Sequence, residues 1–303
     1  MTSVAVVILT FNEQIHLARA LASVRPFATE VFVIDSGSTD ETVAIARAAG
    51  AQVLPHPFVN YAQQFQWGLD NAPISADWIM RLDADEVVED DLAAEIKRRL
   101  DGLSPGITGV SLKRKHVFMG RWIKHGGRYP LTMLRIWRRG KGRIEQRWMD
   151  EHIVLDAGSS VTFDGGFADI NLKDLTYFTD KHNKYATREA IDVLNTRYGL
   201  SETSEDNTVK GSSLAVAGKR WLKEQVYNRA SMGAGPLLYF LYRYFVQAGF
   251  LDGPEGLIYH GLQGFWYRFL VAAKVAELDR ELSPLTSRAE RVNAVERLTG
   301  HRL

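Results

Sequence analysis

The chain contains no cysteine. Disulfides and cysteine-ligated zinc centres are thereby excluded, and the composition suits a reducing compartment. Also missing is any uninterrupted apolar run of the roughly 18 residues that a membrane-spanning helix needs. Neither sign of charge dominates: 37 Lys and Arg face 36 Asp and Glu, a formal net charge of +1, which gives no global electrostatic case for nucleic acid. The apolar stretch Val4 to Leu9 is too short for the core of a secretion signal and lacks a basic flank and a cleavage site. The catalytic part is therefore expected in the cytoplasm. Internal repeats and low-complexity segments are absent as well.

What remains is an ordinary globular composition, 46% hydrophobic and 24% charged over 303 residues, enough for a full core. Val4-Ala-Val-Val-Ile-Leu9 reads as a strand buried on both faces. Asn12 is the expected N-cap of a helix with Ile15, Leu17, Ala18, Leu21 and Ala22 on its apolar side. Strands follow at 31–34, 51–54 and 77–82, with helices between them, the first capped by Thr39 or Asp40 and stopped by Gly50, the second at 61–71. Regular alternation of this kind predicts an α/β fold with a mostly parallel, doubly wound sheet, which binds ligands beyond the carboxyl ends of its strands. Shorter strands and turns follow from Lys113. Helical periodicity returns at about 180–198, a polar loop is expected at 201–211, and an aromatic-rich helical section at about 236–278.

Three polar clusters fall on that one rim: Thr10-Phe11-Asn12-Glu13, Asp35-Ser36-Gly37-Ser38 and Asp83-Ala84-Asp85. At an extended strand end, residues two apart point the same way. Asp83 and Asp85 are therefore expected to converge, and two carboxylates at one spot repel unless a hard divalent cation joins them. Read from those residues alone, the stretch could equally begin a polar loop or cap the next helix.

The blocks VVILTFNE (6–13), VFVIDSGSTDET (31–42), YAQQFQWGLDNA (61–72) and DWIMRLDADE (77–86) resemble the family-2 glycosyltransferases, inverting enzymes with a GT-A (Rossmann-like) fold that use nucleotide sugars. The likeness extends through WMDEHIVL (148–155) and GFLDGPEGLIYHGLQGFWYRFLVAAK (249–274), the latter resembling a subgroup that builds bacterial lipopolysaccharide cores and exopolysaccharides. The resemblance implies donor binding, with UDP as the nucleotide, by Thr10, Phe11, Asn12, Glu13, Asp35, Ser36, Gln64, Asp83 and Arg128. It implies a Mg²⁺ or Mn²⁺ cofactor on Asp85 and Asp83, and an acceptor-activating base at Glu151, with Asp150 as the close competitor. The Gln-x-x-Arg-Trp motif of processive synthases is absent, Gln146-Arg147-Trp148 lacking the two intervening residues, so one sugar per acceptor is expected.

Residues 113–130 mix cations, aromatics and glycines, and Lys124 and Arg128 are candidates for diphosphate or acceptor contact. Residues 236–246 and 265–271 are aromatic, apolar and sparsely basic, suited to a membrane surface or an oligomer contact. The expected division is a catalytic domain over 1–232 and a C-terminal helical region over 233–303. The expected protein is peripheral on the inner face of the cytoplasmic membrane, with a nucleotide-sugar donor, a lipid-linked or lipopolysaccharide-type acceptor and no nucleic acid. Competing readings are a sugar nucleotidyltransferase, whose glycine-rich basic phosphate loop residues 10–13 do not supply, and a non-catalytic membrane scaffold.

Overall fold

A computed structural model of the chain describes residues 2–145, 151–200 and 234–301. Two units are distinguished, Met1–Leu172 and Lys173–Leu303. The expected boundary at 232/233 falls outside the described residues. The helix at 175–198, which the sequence reading put with the catalytic part, belongs to the second unit.

The first unit is built on one sheet. Strands β1 (Val4–Thr10), β2 (Glu30–Asp35), β3 (Gln52–Pro55) and β4 (Trp78–Arg81) are parallel in the order β3-β2-β1-β4. The sheet continues through β8 (Leu131–Arg138), β6 (Ile107–Phe118), β11 (Ser159–Ile170) and β5 (Glu86–Val88). β8 runs antiparallel to β4 and β6, and β6 is parallel to β11. A two-residue strand β7 (Arg121–Trp122) folds back on β6, and β9 (Gly142–Ile144) pairs with β10 (Ile153–Leu155) in a separate antiparallel ladder.

Val4 to Ile8 of β1 are buried because both sheet faces are covered. On one face Val4, Val6 and Ile8 pack with α1 (Leu17–Val24) and α4 (Asp90–Arg99); on the other Ala5 and Val7 pack with Phe65 of α3 (Tyr61–Asn71). α2 (Thr42–Ala48) completes the parallel half. α3 begins as the sequence predicts, with the Asn60 side chain accepting from Gln63 N. α1 does not: its buried face is Leu17, Ala20, Leu21 and Val24, while Ile15, Ala18 and Ala22 are exposed. Asn12 is not its cap but sits at φ 54°, its side-chain carbonyl accepting from Thr39 N at 2.9 Å.

In the second unit α5 (Leu175–Tyr198) is capped by Asp174 and closed by Gly199 at φ 61°. The helical section expected at about 236–278, with a turn at 252–256, is interrupted more often than that. Helix α6 (Ala234–Leu241) passes into a wide π turn (242–246), a 3₁₀ turn (249–252), α7 (Gly253–Tyr259), a second π stretch (260–266) and α8 (Tyr267–Leu282). Ala248 at φ 57° and Gly253 at φ 74° break the run. α9 (Arg288–Thr299) starts with a Ser287/Glu290 capping box and packs Ala294 and Val295 on Leu194 and Leu278. No helix among the described residues is long and apolar enough to cross a membrane.

Candidate active site

The carboxyl ends of β1, β2 and β4 share one edge of the sheet. Strand polarity brings the ends of β6 and β11 and the starts of β8 and β5 to the same edge. Three groups of side chains collect there.

The first is the turn pair after β1 and β2. Asp35 is buried and its carboxylate accepts from Thr10 Oγ1 (2.8 Å), Ser38 Oγ (2.5 Å), Gly37 N (3.0 Å) and Ser38 N (2.8 Å). These bonds use the lone-pair positions a carboxylate offers. Asp35 thus shapes the 35–40 turn, and Gly37 at φ 86° allows its amide to face inward. The Ser38 hydroxyl also accepts from Asn12 N at 2.9 Å, tying the two turns together. Gln64 reaches from α3 to Ser36 Oγ (3.1 Å) and to His56 (2.7 Å to Nδ1). Phe11 stands out of this framework, 58% exposed, as an apolar face beside polar backbone.

The second group is a network of carboxylates and guanidiniums around the turn after β4. Residues 83–86 form a tight turn, Glu86 N donating to Asp83 O at 2.9 Å, so Asp83 and Asp85 are not presented by an extended strand. Asp83 faces Arg81 (3.2 Å) and Arg135 (3.3 Å), whereas Asp85 accepts from Asn171 Nδ2 at 3.1 Å. Arg135, buried on β8, also pairs with Glu86 at 2.7 Å, and Arg114 approaches Glu86 (3.5 Å) and Asp169 (3.8 Å). Arg81 in turn reaches Glu151 Oε1 at 3.5 Å, while Phe65 backs its guanidinium. One guanidinium therefore bridges the expected cation motif and the expected base. Burial opposes ionisation of Asp83, yet Arg81, Arg135 and Arg114 hold its carboxyl well below the usual carboxylate range. Glu86 moves the other way: burial, reinforced by the Asp83 charge, pushes it up to about 7 against Arg135 and Arg114.

The third group clasps the end of β11. His16, fully buried, contacts Glu13 Oε2 through Nδ1 at 2.5 Å and accepts from Leu172 N through Nε2 at 2.9 Å. Nε2 is therefore the unprotonated nitrogen. Arg19 donates to the carbonyl of Ile170. Glu13 is thus held inside the protein by His16 rather than standing at a first helical turn.

The sequence-predicted residues Thr10, Asn12, Asp35, Ser36 and Gln64 come together around the first two turns, and Asp83 and Glu151 meet on Arg81. Arg128 lies in the loop after β7, its amide donating to His125 O at 3.3 Å. Asp150 and the Gln146-Arg147-Trp148 segment lie outside the described residues. Arg143, near Glu151 in the sequence, binds Asp156 at 3.0 Å. Sequence reasoning missed Arg81, Arg135, Glu86, His16 and Asn171. Arg135 carried one signal, a lone cation within the apolar strand pattern Met133-Leu-Arg-Ile-Trp137.

Residues 5–164 match the family described as Glycosyl transferase family 2. The chain belongs to that family. Family-2 relatives include the lipopolysaccharide core biosynthesis glycosyltransferase LpsC of Rhizobium meliloti, 28% identical over 274 residues, 88% of this chain and 90% of that one. An uncharacterised glycosyltransferase of Rickettsia felis is 40% identical over 97 residues, 32% of this chain. The matched stretch spans about a third (34%) of that Rickettsia protein's length. Among solved structures, glucosyl-3-phosphoglycerate synthase of Mycobacterium tuberculosis, in complex with Mn²⁺, UDP and phosphoglyceric acid, is 23% identical. That likeness covers 38% of this chain and 43% of that one, with a TM-score of 0.31. The mixed α/β first unit fits that family, and the family match favours a glycosyltransferase over a sugar nucleotidyltransferase.

Asp83 and Asp85 supply hard carboxylate oxygens, the donors Mg²⁺ and Mn²⁺ take. No group of three or more His, Asp or Glu poised around one point occurs among the described residues. The residues present therefore fit a cation that arrives with phosphate oxygens completing its shell, not one caged by protein alone.

Proposed function

We propose that the protein is a metal-dependent, inverting hexosyltransferase that moves a single sugar from a UDP-linked donor to a lipid-anchored saccharide of the bacterial cell surface. The observation that carries this reading is the bridge made by Arg81 between Asp83 and Glu151. A cation-side carboxylate and a half-buried carboxylate from a separate segment share one guanidinium, which suits in-line displacement at an anomeric carbon. Thr10, Asp35, Ser36, Ser38 and Gln64 shape the turns that receive the nucleotide, with Phe11 as an apolar wall for the base and Glu13 holding its turn through His16. Asp85 and Asp83 would hold Mg²⁺ or Mn²⁺, which as a Lewis acid neutralises the departing diphosphate. Glu151 takes the proton of the acceptor hydroxyl, or Asp150 does so in its place. Uridine is supported by the family resemblance as a whole, and the lipid-anchored acceptor by the similarity to LpsC.

The exposed apolar surface at 237–251 supports a peripheral place on the inner face of the cytoplasmic membrane, where such acceptors are anchored. Calorimetry with UDP, GDP, CMP and dTDP, each with and without Mn²⁺, tests the donor site. Binding of one nucleotide that depends on the metal and is lost in Asp85→Ala is the expected result. Glu151→Gln should keep that binding while slowing sugar transfer to extracted lipopolysaccharide by about 10²–10⁴-fold. Full transfer by Glu151→Gln would move the base to Asp150.

A further inference from the structure

Between Asp101 and Glu145 the chain carries no acidic residue. Most cations of this stretch are accounted for inside the fold. Lys113 pairs with Asp164, Lys115 with Glu89, Arg114 and Arg135 with Glu86, and Arg143 with Asp156. Arg138 and Arg139 donate to backbone carbonyls of Leu103, Ile107 and Ala76. Arg121 and Lys124 differ: both are exposed, and neither forms an ion pair among the described residues. Both belong to the hairpin that follows β6.

That hairpin is held in place. Met119 (φ 51°) and Gly120 (φ 78°) make a two-residue turn with both φ values positive, the form that suits the twist of a β-hairpin. Phe118 pairs with Arg121 and Val117 with Trp122, and Ile123 N donates to His116 O at 2.9 Å. The Trp122 ring carries Lys115 Nζ at 5.0 Å and Lys124 Nζ at 5.4 Å, with Tyr129 edge-on at 5.0 Å. The indole Nε1–H is shielded from solvent and has no acceptor among the described residues. Lys124 is thus steered by an aromatic face without being neutralised.

Its position follows from the strand order. Along the rim the nucleotide turns lie at β1 and β2, the carboxylate turn follows β4, and the hairpin emerges from β6, with β8 between. At about 4.8 Å per strand β6 stands roughly 10 Å beyond β4, on the side away from the nucleotide turns, and β7 returns along the edge of β6 that faces β8. A nucleotide sugar laid from the β1–β2 turns across the carboxylates places its diphosphate before the hairpin and its sugar toward it.

Resting on the transferase reading above, we propose that Arg121 and Lys124 form an acceptor subsite that selects saccharides carrying an anionic group, a phosphate or a sugar carboxylate. Trp122 positions the cations, and the acceptor charge makes charge-assisted bonds to both.

The test is ligand-observed NMR on the full chain with glucose 6-phosphate, glucuronate and glucose, for wild type and the double variant Arg121→Gln/Lys124→Gln, with UDP and Mn²⁺ binding measured in parallel. Wild type is expected to bind one or both anionic sugars and not glucose. The double variant should weaken that binding about tenfold or more and leave UDP binding unchanged. Preference for glucose 6-phosphate over glucuronate assigns the anion as phosphate, and the reverse assigns a carboxylate. Equal binding of glucose, or no effect of the double variant, overturns the proposal. Loss of UDP binding in the double variant overturns it too, by giving the hairpin to the donor diphosphate. UDP binding by wild type, scored separately, keeps a failure of the subsite distinct from a failure of the transferase reading.

Discussion

At the scale of single residues, the site is organised by a few guanidiniums each shared between carboxylates. Removing one partner of such a buried network leaves a charge uncompensated, which is costlier than the pair is stabilising. Glu86 is the informative position because its carboxyl is raised to about 7 from 4.5. The folded state then keeps a proton that the unfolded chain has released. This group's contribution to stability is full below about pH 4.5 and is lost as pH rises through about 7. Glu86→Gln is accordingly expected to flatten the fall in stability across that window, a slope of at most about 1.4 kcal/mol per pH unit, in urea unfolding followed from about pH 5 to 8. An unchanged slope would assign the window to other groups. Asp83 and Asp85 were singled out as a carboxylate pair after a strand, and Glu151 by family resemblance alone; the structure brings Asp83 and Glu151 to the same guanidinium. Arg81, Arg135 and His16 were not legible in the sequence. Their partners lie 70, 49 and 156 residues away in the chain, and no local pattern records such pairings.

At the scale of elements, the alternation of apolar strands and amphipathic helices over residues 4–82 foretold β1 to β4 and α3 nearly to the residue. The start of α1 was misplaced because the spacing of Ile15, Ala18 and Ala22 mimics a helical stripe, while the Glu13–His16 turn delays the helix. The aromatic section after residue 236 read as helical on either side of a turn at 252–256. Its breaks depend on φ values at Ala248 and Gly253 that periodicity does not report. The packing of α4 on β11 depends on a glycine in a similar way. A Cβ on Gly165 would lie 2.4 Å from Leu92 Cα, a backbone atom that cannot step aside. Glu95 Oε2 also accepts from the Asp164 and Gly165 amides, fixing the strand against the helix. Gly165→Ala is expected to destabilise by about 1–3 kcal/mol, seen as a lower Tm, through overpacking. Gly106→Ala, where nothing lies within 4 Å, should be close to neutral. Equal melting of the two variants would show that the helix yields.

At the scale of the whole molecule, exposed large apolar side chains gather in the second unit: Phe245 (59%), Val246 (74%), Phe250 (48%) and Leu251 (54%) cluster around its π and 3₁₀ turns. The charged neighbours Arg243 and Asp252 are buried. An apolar surface this poor in exposed charge suits the interfacial layer of a bilayer better than water. Replacing Val246, Phe250 and Leu251 together by Ser should cut co-sedimentation with anionic liposomes by about 100-fold or more, given about 1.5–3 kcal/mol for each buried apolar side chain. Undiminished co-sedimentation would remove this surface from the membrane reading. Sequence composition pointed to the segment, but only the fold shows which of its side chains face outward. For the proposed reaction as a whole, the Arg81 bridge has a consequence in time. While Arg81 spans Asp83 and Glu151, the resting enzyme keeps its base engaged and its cation position screened by the same positive charge. A divalent ion at Asp83 competes with that charge, and linkage makes the antagonism mutual. In the proposed reaction a cation would have to displace Arg81 from Asp83 before that carboxylate could serve, which would make the pair a brake on cation binding without donor.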